Sequence, residues 1–155
     1  MVFKYSKYGL ISGLIFLIPI FPIWTFIPMV VFTEILGEHY LSCETKYKII
    51  CLLSLIFAII LDCIYIANKI GRKSIRNKNE FSRFFIFSLL LYSLLNFFGF
   101  ITFVGVKSAC YGDGQVLLGA LYSGPIASLA IFINGIIIDV ALYLNRKKII
   151  TNETE

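Results

Sequence analysis

Two aspartates hold the most chemical interest in this sequence. Asp62 follows Ile59-Ile60-Leu61 and Asp139 follows Ile136-Ile137-Ile138, so each carboxylate lies late in a strongly apolar run. The first run closes on Asn68-Lys69 and the second on Asn145-Arg146. Seven helical residues separate each Asp from its basic closing residue, which puts both carboxylates about 10 Å inside a boundary at a rise of ~1.5 Å per residue. No Lys or Arg falls within either run to neutralise them. Ionisable side chains in hydrocarbon are costly and mark ion or proton pathways, so Asp62 and Asp139 are candidates for ion or proton handling. The competing structural reading has water reach them, or pairs them with Lys4, Lys7 or Arg83 at the boundary.

Helical spacing predicts where the two carboxylates point. Ser54, Ala58 and Asp62 share one stripe at intervals of four, as do Ala120, Gly124 and Ser128, and Gly135 precedes Asp139 by one turn. Small residues line the faces on which membrane helices approach each other, so both Asp residues are expected to face the interior of a bundle. Asn96 and Asn134 fall near mid-membrane and are expected to form an interhelical polar contact. Pro19, Pro22 and Pro28 in the first apolar run, and Pro125 in the last, each delete a backbone donor and are expected to kink their helices. Gly9 and Gly13 form a GxxxG, a signal for close helix packing.

Other constellations are weaker. Cys43 and Cys110 fall in two short segments on the same side of the expected membrane, where a disulfide between them is the expected outcome. A thiol-oxidase role would need a Cys-x-x-Cys, and none is present. Cys51 and Cys63 read as small packing residues. Glu34, Glu38, His39 and Glu44 gather near Cys43, but one His without a second defines no standard metal site, and no metal or cofactor is expected. Tyr111-Gly112-Asp113-Gly114-Gln115 is turn chemistry, since the Lys and Ser/Thr of a phosphate loop do not follow. No Ser/His/Asp, Cys/His or paired-His arrangement occurs, so an enzyme is not expected.

The elements that position these residues follow from composition. Of 155 residues, 59% are hydrophobic and 15% charged, with a mean hydropathy of +0.87. Soluble domains carry about 25% charged residues, so this chain lacks the polar surface for water. Four stretches suit the ~20 apolar residues that a crossing needs: residues 9–32, 49–68, 84–106 and 116–144. Their continuity excludes barrel strands, which alternate. The expected fold is an all-α membrane protein, a single four-transmembrane-helix bundle with short loops. The first stretch, too long for a signal-peptide core, is expected to stay as an anchor.

Charge orients the bundle. Lys4 and Lys7 precede the first stretch; Lys69, Arg72, Lys73, Arg76, Lys78 and Arg83 fill the 69–83 loop; Arg146, Lys147 and Lys148 begin the 145–155 tail. Only Lys46, Lys48 and Lys107 lie on the other side. The positive-inside rule then predicts both termini and the 69–83 loop in the cytoplasm, most naturally at a bacterial inner (plasma) membrane. Tyr5, Tyr8, Tyr65 and Tyr143 fall at the inner boundary, and Trp24, Tyr40, Tyr47, Tyr111 and Tyr122 at the outer one. The basic loop lacks the aromatic or groove-reading company of a nucleic-acid site, so lipid headgroups are its expected partner.

Two classes of function fit this layout. One is a non-enzymatic protein acting through helix–helix or protein–protein contact in the bilayer, as a complex subunit or as an immunity-type protector against an inserted toxin. The other is a small proton- or ion-coupled transporter or channel, homo-oligomeric, using Asp62 and Asp139.

Overall fold

The computed structural model describes residues 3–35, 42–71, 79–106, 110 and 115–153 of the chain. Helix accounts for 94% of it, and no strand forms among the described residues. We name the helices α1 (Lys4–Phe16), α2 (Ile20–Ile35), α3 (Cys43–Gly71), α4 (Glu80–Val104) and α5 (Gln115–Glu153). Three segments are long and apolar enough to cross a membrane: α3, α4, and Leu121–Arg146 within α5.

Residues 9–32 do not form the single helix expected of them; they divide between α1 and α2. Pro19 has no N–H to offer the carbonyl of Ile15, and its ring disfavours helical geometry at Ile18. The last ordinary α-helical bond at this end runs from Leu17 N–H to Gly13 O at 3.1 Å, and the chain then tightens, with Ile18 N–H donating to Ile15 O at 3.2 Å. Phe21 N–H then donates to Ile18 O at 3.0 Å, across the start of α2. Pro19 thus breaks the helix instead of kinking it. Pro22 does neither, because it sits in the first turn of α2, where a backbone N–H has no helical acceptor to lose. Pro125 lies inside α5, which runs on through it.

The closest helix approach joins α1 to α5. A Cβ on Gly9 would stand 2.9 Å from Ile131 O, one on Gly13 3.0 Å from Ser128 O, and one on Gly135 2.4 Å from Tyr5 O. The rising numbers on α1 meet falling numbers on α5, so the two run antiparallel, and the GxxxG forms part of their contact. Helix α4 is central: 56% of its apolar window is buried, and it packs against all four other helices. Helix α3 is peripheral, with 17% of its window buried, and leans mainly on α4. Tyr65 of α3 stacks on Phe87 of α4 at 3.9 Å between ring centroids, and Tyr47 stacks on Phe97 near the opposite end.

The disulfide between Cys43 and Cys110 ties the start of α3 to the segment after α4, with Cα atoms 5.9 Å apart. Lys4, Lys69, Glu80 and Asp139 cluster at the other end of the bundle. Glu38, His39, Tyr40, residues 72–78, Lys107 and residues 111–114 lie outside the described residues. So do the side chains of Pro28, Glu34, Gln115, Ala120, Lys147 and Lys148.

Candidate functional site

The two aspartates, alike in local sequence, meet different surroundings. Asp139 reaches across to the beginning of α1. Its Oδ1 accepts the Tyr5 N–H at 3.1 Å, and its Oδ2 accepts the Ser6 N–H at 2.8 Å and the Ser6 hydroxyl at 2.7 Å. Tyr5 and Ser6 are the second and third residues of α1, whose first N–H groups have no acceptor within the helix. Phe3, ahead of them, makes no side-chain cap. A carboxylate from a distant helix thus serves as the cap, and the positive end of the α1 dipole favours its charge. Asp139 needs no basic residue to be accommodated.

Asp62 has no such arrangement. It lines a cleft of about 240 Å³ between α3, α4 and α5, together with Leu55, Ala58, Ile59, Leu91, Leu95, Ala130, Ile133, Asn134 and Ile137. Asn134 is its polar neighbour there, and no bond of ordinary geometry forms between them. Asp62 Oδ1 and both amide atoms of Asn134 are enclosed without partners. Enclosed hydroxyls without partners also occur at Ser12, Tyr65, Ser88 and Ser128. A serine hydroxyl can turn toward its own helix's carbonyls, which a carboxylate cannot do. Asp62 and Asn134 are the polar members of an otherwise apolar wall.

The structural alternative that paired either Asp with Lys4, Lys7 or Arg83 does not occur among the described residues. Among the described residues no ion pair reaches Asp62 or Asp139, and the boundary lysines turn to Glu80 instead. The Glu80 carboxylate accepts from Lys4 Nζ, from the Tyr5 hydroxyl, and from Lys69 Nζ at 3.2 Å. Lys69 also lies over the rings of Tyr5 and Tyr65, at 5.4 and 5.5 Å from their centroids. Partial burial disfavours the charge on Glu80, which precedes the apolar run of α4. The hydrogen bonds from Lys4, Tyr5 and Lys69 outweigh that burial and hold the carboxyl well below its ordinary range. Burial, then the bond to Glu80, pushes the Tyr5 hydroxyl above its own.

Asn96 and Asn134 do not meet. Asn96, fully buried on α4, donates through Nδ2 to Pro22 O at 3.1 Å and accepts the Ser123 hydroxyl at 2.6 Å. One turn earlier on α4, the Tyr92 hydroxyl donates to Phe16 O at 3.3 Å. Both acceptors flank the break between α1 and α2. Tyr92 and Asn96 therefore satisfy carbonyls on either side of it, and Ser123 ties the seam to α5. Gly124 makes room, since a Cβ there would stand 2.6 Å from Pro22 Cγ and 2.9 Å from Tyr92 Oη. The broken helix is thus held against α4 and α5 on its inward side, while Leu17, Ile18 and Ile20 remain exposed.

No family model matches the chain, and neither does a curated protein or a solved structure. The site is read from its own geometry.

Sequence reasoning passed over Glu80, Tyr92 and Ser123. Two of them left a trace: Glu80 is the single acid in the basic 69–83 loop, and Tyr92 lies one turn from Asn96. Ser123 left none. Among the described residues no group of three metal-ligating side chains comes together.

Proposed function

We propose that this chain is a non-enzymatic membrane protein that works by engaging another protein's helix in the bilayer. It serves as a complex subunit or as an immunity-type protector against an inserted toxin. The supporting observation is the flank between α3 and α5, where a mostly exposed apolar helix borders a cleft holding an unpartnered carboxylate and carboxamide. An apolar surface alone suits lipid. Polar atoms without partners in hydrocarbon suit a protein that brings them, because interhelical hydrogen bonds help hold membrane helices together.

In this reading α1 and α2 together make a fourth crossing. The end bearing Lys4, Lys69 and Glu80 faces the cytoplasm with both termini, in the inner membrane of a bacterium. The excess of basic residues at that end supports the orientation. A site-specific photo-crosslinker tests the partner. Placed at Ile59 or Ile133, exposed on the cleft rim, it is expected to give a discrete adduct in native membranes. At Leu14, exposed on α1 and outside the cleft lining, it is expected to give none. The same product from all three positions, or none from any, rejects the reading.

A proton- or ion-coupled transporter using Asp62 and Asp139 is the second reading, and the unpartnered Asp62 oxygen favours it. Asp139 favours it less, because its oxygens hold the start of α1. Ion flux in proteoliposomes, abolished by Asp62→Asn with insertion unchanged, would decide for transport.

A further inference from the structure

The chemistry of the cleft narrows what a partner helix must carry, an inference that rests on the partner-binding reading above. Every wall is defined. Leu55, Ala58 and Ile59 come from α3, Leu91 and Leu95 from α4, and Ala130, Ile133 and Ile137 from α5. Asp62, half-buried, and Asn134, buried, are the two polar side chains of this open apolar cleft. Asn134 is 6% exposed, and neither its carbonyl oxygen nor its NH₂ has a partner. A carboxylate with one oxygen, Oδ1, enclosed and unpaired in such surroundings is expensive to keep. The chain offers Asp139 an escape through the α1 N–H groups, and offers Asp62 only the neighbouring Asn134 carboxamide.

The nearby cations are already engaged. Lys69, two turns further along α3, bonds to Glu80 and lies over two tyrosine rings. Lys4 bonds to Glu80 as well. No basic residue occurs within the apolar runs of α3, α4 or α5. Two acceptors, Asp62 Oδ1 and Asn134 Oδ1, are therefore available on two different helices. An ammonium carries three donors on a flexible stem and can serve acceptors that approach from separate directions, whereas a guanidinium prefers the two oxygens of one carboxylate. A cleft of about 240 Å³ is too small for a helix but holds one four-carbon side chain along its apolar wall. We propose that the α3–α5 cleft receives a lysine from a partner's transmembrane helix, its ammonium bonded to Asp62 and Asn134 and its stem lying against Ile59 and Ile133.

A synthetic helix tests this directly. The intact protein, dye-labelled at its C-terminus, is reconstituted in phosphatidylcholine vesicles with a labelled Leu/Ala peptide of about 23 residues, long enough to span. The peptide carries Lys, Asn or Leu at the depth of Asp62, and energy transfer reports association. The Lys peptide is expected to bind at least about tenfold more tightly than the Leu peptide, as a charged hydrogen bond between buried groups allows. Asp62→Asn is expected to abolish that preference and Asn134→Leu to reduce it. Ala130→Phe, which fills the cleft and leaves the carboxylate in place, provides a second route to the same loss. Equal binding of the Lys and Leu peptides overturns the proposal, as does a Lys preference that survives Asp62→Asn. Equal binding of the Asn and Lys peptides overturns it too. If the adducts at Ile59 and Ile133 persist beside such a result, the lysine is withdrawn and the partner reading stands.

Discussion

Asp139 and Ser6 stand 133 positions apart in the chain, and Ser6 gives Asp139 both its backbone N–H and its hydroxyl. This contact anchors the beginning of α1 to α5 at the point where Gly135 lets the two backbones approach. It gives the Asp139 carboxylate three donors from α1, although its local sequence is that of Asp62.

Replacing Asp139 therefore acts on stability. Asp139→Ala strips acceptors from two N–H groups and a hydroxyl, and is expected to destabilise the protein by about 2 kcal/mol. Asp139→Asn, which keeps one acceptor oxygen, should lose less. Thermal unfolding in detergent measures both, and an Asp139→Ala protein as stable as the parent would refute the cap.

Asn96 carries the seam at the helix break. Asn96→Leu takes a donor from the Pro22 carbonyl and an acceptor from the Ser123 hydroxyl, at an expected cost of about 1–3 kcal/mol. Ser123→Ala should cost less alone and almost nothing on top of Asn96→Leu, since the two share one bond. Additive losses in the double variant would show that the residues act separately.

Glu80 gives stability a pH dependence of known sign. Its carboxyl is held below its ordinary value in the folded chain, so its contribution is fully present above the unfolded value of 4.5 and fades as pH falls toward the lowered one. Melting temperature in detergent should fall on acidification below about pH 5, and Glu80→Gln should lower it at neutral pH while flattening that part of the curve. A Glu80→Gln profile parallel to the parent's would remove Glu80 as the source.

Thiol accounting tests the tie between Cys43 and Cys110. Protein from an oxidising compartment should show two reactive thiols after denaturation, Cys51 and Cys63, and four after reduction. Reduction, or Cys43→Ser, should lower stability by about 2–4 kcal/mol, because the bond closes a long loop. Four thiols before reduction would dispose of the bridge.

Hydropathy and charge are properties of short stretches, and what depends on them was legible in the sequence. The apolar runs from residue 49 onward became α3, α4 and the core of α5, because in lipid the helix is the way for a lone segment to satisfy its backbone. Cys43 and Cys110 could be matched because so few thiols compete. Even the inward direction of Asp139 followed from Gly135, one turn away.

Partners were another matter. Pro19 announced a disturbance, but the groups that hold the carbonyls on either side of the break, Tyr92 and Asn96, come from another helix. The phrases around Asp62 and Asp139 look alike. Their roles diverge because a helix N-terminus lies opposite one and an apolar cleft opposite the other. Lys4 and Lys69 went to Glu80 and not to either Asp, since the start of α1, the end of α3 and the start of α4 converge there. A hydrogen bond is decided by which groups arrive within about 3 Å of each other, and that proximity exists only once the helices have packed.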